Sequence, residues 1–346
     1  MQGYMKKVLL LMAVIVLSFA ACAQGQKKTG NQRGPRQGGG MMMANKAAIE
    51  REQSEARFNS AEREQARPEV KDSDSTFVAL KNETLGKFKQ LTFEDAETGK
   101  TMAYNLLVPK DYDGTKTYPL VLFMADASTV GTDATRPLTQ GYGALVFASD
   151  RDQQKHPSFV LVPQYTEWAV QDDWSTTDEV EMTIRLLKAV CKEYKVDTNR
   201  LYTTGQSMGG MMSFYFNITH SDLFAASLFV SSQWNTTKMK DFGKKHFFYI
   251  VAGGDQKASG GMKDLAEVLK QQNARVDSAL WSAKLPQAEQ DRLAKDLIAK
   301  GSNINFITWE KGTVLPASGQ GMEHMASFDY GYKIAAVRDW LFEQSK

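Results

Sequence analysis

In this 346-residue chain, the stretch Gly205-Gln206-Ser207-Met208-Gly209 is the one best suited to chemistry. The residues before it, Arg200 to Thr204, are β-prone, and those from Met208 onward are apolar and tolerate a helix. A serine at such a strand-to-helix turn is held in a strained backbone conformation. Side chains two positions to either side of it would strike the neighbouring strand or helix, and glycine at 205 and 209 removes both collisions. The turn pushes Ser207 out at the C-terminal edge of a sheet, beside a helix N-terminus whose amides favour developing negative charge. This is the setting for nucleophilic attack on a carbonyl carbon.

A serine hydroxyl needs a base to take its proton, and the base needs an acid to orient it. With a serine elbow of this kind the acid and then the base follow in chain order, each after a strand. Asp255 follows the apolar run Tyr249-Ile-Val-Ala252 and the turn Gly253-Gly254, a place that also suits a plain helix N-cap. His324 lies in Gly321-Met-Glu-His-Met-Ala-Ser327, read as a loop between the last strand and the last helix. The other three histidines are expected to be structural or solvated. His156 precedes a proline, His220 ends a helix, and His246 begins a strand after two lysines. Ser207 is thus expected as nucleophile, His324 as general base and then acid, and Asp255 as orienter. Two backbone amides must hold the oxyanion: that of Met208, and one from Ala125 or Asp126 after the Phe123-Met124 strand.

The elements that must position these groups can be read from apolar patterning. Lys89–Glu94 and Thr101–Val108 flank a turn at Glu97-Thr98-Gly99 and form an antiparallel hairpin. Continuous apolar runs at 119–124, 158–162, 225–230, 247–251 and 303–309 suit buried parallel strands. Asp178 to Tyr194 carries apolar residues at helical spacing, and Phe328 to Glu343 reads as one closing helix. A hairpin followed by alternating strands and helices predicts an α/β fold over 75–346, with a mainly parallel sheet covered by helices on both faces. The longest insertion, Ser278 to Gly301, is long enough for a cap, but 288–300 reads as an amphipathic helix that packs on the sheet more easily.

The elbow, the run Tyr194-Lys-Val-Asp-Thr-Asn-Arg-Leu-Tyr202 before it and Asp222-Leu-Phe-Ala-Ala226 after it resemble the α/β-hydrolase superfamily. More narrowly they resemble its branch of esterase D, polyhydroxybutyrate-depolymerase-like and feruloyl or acetylxylan esterases, with the bacterial predicted-peptidase-like proteins. The resemblance implies the α/β-hydrolase fold and hydrolysis through Ser207, with no cofactor. Many members of that branch carry His-Gly where this chain has Ala125-Asp126. A carboxylate facing an oxyanion would oppose catalysis, so only the backbone amide of Asp126 is expected to point inward.

Outside this region, Lys6 and Lys7 precede an apolar run from Val8 to Leu17, then Ala20, Ala21 and Ala23. The run is shorter than the ~20 residues of a membrane span and reads as a signal peptide over 1–23. Ala21-Cys22-Ala23 suits cleavage before Gln24, whereas Phe19-Ala20-Ala21-Cys22 resembles a lipoprotein box that would lipidate Cys22 and tether the protein to a membrane. Either route places the protein outside the cytoplasm of a bacterium. The segment 24–74 is polar and reads as a tether, with a charged helix near its end. Cys191, the second of two cysteines, sits on the buried stripe of a helix as a core thiol. Lys and Arg number 42 against 40 Asp and Glu, a net charge of +2 that makes no case for nucleic-acid binding. The sequence has no HExxH, CxxC or GxGxxG, so neither a metal nor a phosphate site is expected.

Gln206, Trp168, Trp234 and Tyr165, near predicted strand ends, are the substrate-binding candidates, with the aromatic rings suited to a sugar or a phenolic acyl group. The segments between core strands are polar and offer no apolar lid, so the expected substrate is a soluble or polysaccharide-linked ester of short or aromatic acyl groups. The competing readings are a serine peptidase of related fold and a binding lipoprotein with a degenerate hydrolase fold.

Overall fold

The structure, a computed structural model, describes residues 74–346. The expected signal peptide and all but the last residue of the tether lie outside the described residues. Asp74 caps the first helix, α1 (Ser75–Thr84), by accepting from the amides of Thr76 and Phe77. Strands β1 (Phe88–Glu94) and β2 (Thr101–Leu107) form the expected antiparallel hairpin, in register from Phe88↔Leu107 to Glu94↔Thr101. After β3 (Tyr118–Met124) come three short helices, α2 (Arg136–Thr139), α3 (Tyr142–Phe147) and α4 (Asp150–Lys155). Then follow β4 (Phe159–Pro163), α5 (Asp178–Glu193), β5 (Val196–Gln206), α6 (Met208–Thr219), β6 (Ala226–Val230) and β7 (Phe247–Ala252). The remaining elements are α7 (Gln256–Gln271), β8 (Val276–Trp281), α8 (Gln287–Ile298), β9 (Ile304–Trp309), α9 (Glu323–Lys333) and α10 (Ala335–Glu343).

The described strands make one sheet in the order β1-β2-β4-β3-β5-β6-β7-β9-β8. β2 runs against both of its neighbours, and every pair from β4 across to β8 is parallel. Alternation along each strand divides the core in two. Val121 and Phe123 of β3 point with Tyr202 and Ile250 into the layer under α1, α3, α8, α9 and α10. Leu120, Leu122 and Met124 point the other way, with Leu201 and Tyr249, into the layer under α5, α6 and α7. Both faces are therefore covered, and the strands read as continuous apolar runs for that reason.

One expectation holds and one changes. The amphipathic pattern of 288–300 is a helix, α8, with Ala294 and Leu297 in the core; before it the 278–301 insertion supplies the end of the edge strand β8, which pairs with β9 from Val276↔Ile304 to Trp281↔Trp309. The pattern of β8 was hidden because an edge strand keeps exposed positions, Ser278 among them, with Leu280 63% exposed. The closing helix is instead two helices, broken at Ile334 (φ −72°, ψ 101°). The guanidinium of buried Arg338 bonds the Tyr332 carbonyl at the end of α9 and both oxygens of buried Asp152. Two buried charges are satisfied by this break, which no helix-breaking residue announces.

Candidate active site

Ser207 joins β5 to α6 with φ 49° and ψ −118°, left-handed backbone that only a few non-glycine residues adopt. The strain is locked in from both sides. The Ser207 N–H donates to the Val230 carbonyl of β6 at 3.2 Å. Its own carbonyl accepts from the Met211 N–H and from the Ser232 hydroxyl, both at 2.9 Å. A methyl group at Gly205 would lie 2.4 Å from the Gly209 carbonyl carbon, and one at Gly209 would lie 2.0 Å from the Met124 carbonyl oxygen. Both glycines are required by close approach, as the spacing implied.

The loops at the C-terminal ends of β7 and β9 bring two further groups to this serine. His324 Nε2 lies 2.9 Å from Ser207 Oγ, and His324 Nδ1 lies 2.6 Å from Asp255 Oδ2. Asp255 is 6% exposed. Burial alone would raise its carboxyl pKa, but the hydrogen bond and charge of His324, with the amides of Ala258 and Lys257, outweigh burial and hold it below the usual range. An ionised carboxylate only accepts, so Nδ1 carries the proton and Nε2 of the neutral ring is left to accept from the Ser207 hydroxyl. Asp255 is at the same time the N-cap of α7, its other oxygen accepting from Ala258 at 3.1 Å. One carboxylate thus both caps α7 and faces His324. His324 stands in the first turn of α9 and not in a loop as expected. Phe328 packs edge-on against its ring at 5.1 Å, and the Ser327 hydroxyl donates to its carbonyl at 2.8 Å.

The end of β3 and the start of α6 meet beside Ser207. Met208 is the first residue of α6, and the first amides of a helix have no partner within it. Met124 and Ala125 carbonyl oxygens lie 2.0 and 2.7 Å from a methyl placed on Gly209, so the end of β3 abuts this turn directly. The Asp126 side chain is 2% exposed and engaged elsewhere, accepting from the Ser128 amide at 2.7 Å and from Gln206 Nε2 at 3.2 Å.

The substrate-binding candidates divide. Tyr165 is a correction: it is 2% exposed, with its hydroxyl 3.1 Å from Thr183 inside the core, and so has no face to offer a ligand. Gln206 is likewise buried at 1% and serves to hold Asp126. Trp168 is half-buried against the layer under α5 to α7. Trp234 lines a groove of about 390 Å³ with Trp174, Gln233, Asn235, Lys257 and Asp264, and its ring meets Trp174 edge-on at 5.3 Å. The lining does not include Ser207, Asp255 or His324; Ser232, whose hydroxyl bonds the Ser207 carbonyl, directly precedes Gln233 of the groove. Trp174 was missed, since it lies in a polar loop with no strand beside it.

The remaining histidines are structural. His156 bonds Asp339 at 2.9 Å and stacks on Phe342, His220 bonds Glu181 at 3.0 Å, and His246 bonds Gln344 at 2.9 Å. Burial pushes the Cys191 thiol up to about 11, which makes it a poor nucleophile.

A family model described as "Putative esterase" matches residues 96–304, well over half of the chain. The chain belongs to this esterase family. The match contains Ser207 and Asp255 and ends before His324. Feruloyl esterase B of Piromyces equi is 26% identical over 208 residues, 59% of this chain and 34% of that protein. The crystal structure of a thermostable esterase superposes with a TM-score of 0.60 at 26% identity, over 76% of this chain and 64% of that one. The chain thus spans about a third of the curated relative and under two thirds of the solved esterase. Esterases of α/β-hydrolase fold are what the strand order and the elbow match.

Proposed function

We propose that the protein hydrolyses carboxylic esters through an acyl-enzyme on Ser207. The observation that carries this is the unbroken line from Ser207 through His324 to Asp255, at 2.9 and 2.6 Å, on a strained elbow. As Ser207 Oγ bonds the ester carbonyl carbon, His324 Nε2 takes its proton and the carbonyl electrons move to oxygen, toward the amides of Met208 and of Ala125 or Asp126. Collapse expels the alcohol oxygen, which receives the proton from Nε2 and leaves an acyl group on Ser207. Water, deprotonated by the same nitrogen, attacks the acyl carbon, and the acid departs as Oγ recovers its proton. Asp255 stays ionised throughout and stabilises the imidazolium.

The substrate in this reading is a short or aromatic acyl ester whose alcohol is soluble or part of a polysaccharide. The groove around Trp174 and Trp234 supports it, for it joins two indole rings to amide and carboxylate groups able to bond hydroxyls. The feruloyl esterase named above supports an aromatic acyl group. The protein acts outside the cytoplasm, either cleaved before Gln24 or lipidated at Cys22; the mass of the mature N-terminus distinguishes the two. Hydrolysis of aryl esters, acetylated or feruloylated xylan and peptide amides by the purified protein tests the reaction class. Amide cleavage exceeding ester cleavage on matched acyl groups would overturn it in favour of a peptidase.

A further inference from the structure

We propose that Glu323 is a positioning residue, whose carboxylate grips backbone amides from two other segments and thereby sets His324 against Asp255. Only the kinetic half of its test rests on the hydrolase reading above. Glu323 opens α9 and directly precedes His324. Its Oε2 accepts from the Gly254 N–H at 2.9 Å, and its Oε1 accepts from the Gly312 N–H at 2.8 Å. Gly254 directly precedes Asp255, and Gly312 lies in the turn that leaves β9. One side chain therefore ties the start of α9 to the turn that bears the acid, and to the root of its own loop.

His324 needs such a tie more than its partners do. Ser207 directly follows β5, and Asp255 stands three residues beyond the end of β7. His324 comes after a connection from 310 to 322 in which Gly312, Gly319 and Gly321 take φ values of 82°, 67° and 108°. A connection so rich in glycine has much backbone freedom to lose, and its far end is weakly placed by covalent structure alone. Two hydrogen bonds to a charged acceptor, one residue from the imidazole, supply the missing constraint. The match extends to the other side of the contact. A methyl group on Gly254 would lie 2.0 Å from Glu323 Oε1, although Gly254 is not among the glycines with left-handed φ. A Cβ at 254 would therefore displace the Glu323 carboxylate, while the turn itself sets no left-handed φ there.

The test uses the full-length protein as Glu323→Ala, Gly254→Ala, the double variant and Glu323→Gln, with melting midpoints recorded for each. One readout is kcat and KM on a short aryl ester. The other is the downfield proton resonance of His324 Nδ1–H, assigned by its loss in His324→Ala and independent of turnover. Glu323→Ala should lower kcat by about 100-fold, as a misplacement near 1 Å does, and leave KM within about twofold. The resonance should broaden or vanish. Gly254→Ala should do the same, and the double variant should be no worse than either single one, because both remove one contact. Glu323→Gln keeps the shape and one acceptor and should fall between, and it serves if Glu323→Ala does not fold. A lowered melting midpoint with kcat and the resonance intact would overturn the proposal, leaving a merely structural strut. Losses that multiply in the double variant would overturn it too. Absence of Ser207-dependent turnover in the wild type would count against the hydrolase reading instead, and the resonance would still decide the role of Glu323.

Discussion

At the scale of single residues, the proposed chemistry turns on one nitrogen. Nε2 of His324 accepts from Ser207 only while the ring is neutral, and Asp255, its carboxyl held below the usual range, remains ionised throughout. Ester turnover should therefore fall as pH is lowered, through protonation of the imidazole and not of the acid. The pH profile of kcat/KM checks this. His324→Ala should remove the dependence along with most of the activity, and His156→Ala should preserve its shape; an unaltered profile in His324→Ala would place the base elsewhere. The glycines give a second residue-scale contrast. Gly209→Ala places a methyl 2.0 Å from the Met124 carbonyl oxygen, whereas Gly260, within α7, has nothing within 4 Å. Gly209→Ala should be strongly destabilising, and Gly260→Ala should stabilise by about 0.5–1 kcal/mol through reduced freedom of the unfolded chain. Denaturant melts of the two variants check both signs.

At the scale of elements, the hairpin of β1 and β2 is fastened to α5 by a buried ion pair. Arg185 reaches both oxygens of Asp95, at 2.6 and 2.8 Å, and Asp95 is 3% exposed. The Arg185 hydrogen bonds, helped by Thr98, hold the Asp95 carboxyl down to about 2 against its burial. An unfolded Asp titrates near ~3.9. Between the two values the unfolded chain binds more protons, so this contribution is complete above the unfolded value and is lost as pH falls toward 2. Arg185→Ala should cost about 3 kcal/mol near neutrality and much less at the acid end, as urea melts at several pH values would show. The same scale separates what was legible from what was not. Buried parallel strands announce themselves as apolar runs, and the Gly-x-Ser-x-Gly turn, the Gly-Gly-Asp turn and the lone well-placed histidine follow from them. β8 stayed hidden because an edge strand need not alternate cleanly. The break at Ile334 and the grip of Glu323 stayed hidden because both depend on partners far along the chain.

At the scale of the whole molecule, the groove around Trp174 and Trp234 is lined by polar groups as well as indoles, and the 278–301 insertion is built into the sheet and a covering helix. No apolar flap of the kind that opens at an oil surface is found among the described residues. Acetyl and short aromatic esters should therefore show higher kcat/KM than long-chain ones, with no jump in rate above the micelle threshold. A preference for long acyl chains with interfacial activation would contradict this. Trp174→Ala should lower kcat/KM more for a saccharide-linked ester than for a methyl ester of the same acid, since the groove's amide and carboxylate groups suit the hydroxyls of a saccharide alcohol. An equal loss on both would move the acyl group into the groove.

In the proposed reaction Ser207, activated by His324 and Asp255, carries the acyl group. The most direct test of this is incubation of the folded protein with a fluorophosphonate, followed by mass mapping of the adduct and ester assays of Ser207→Ala. A single adduct on Ser207 is predicted, with turnover in the variant reduced on the order of 10⁶-fold while its melting midpoint stays close to the parent's. Folded protein that takes up no label, together with ester turnover untouched by Ser207→Ala, would contradict it.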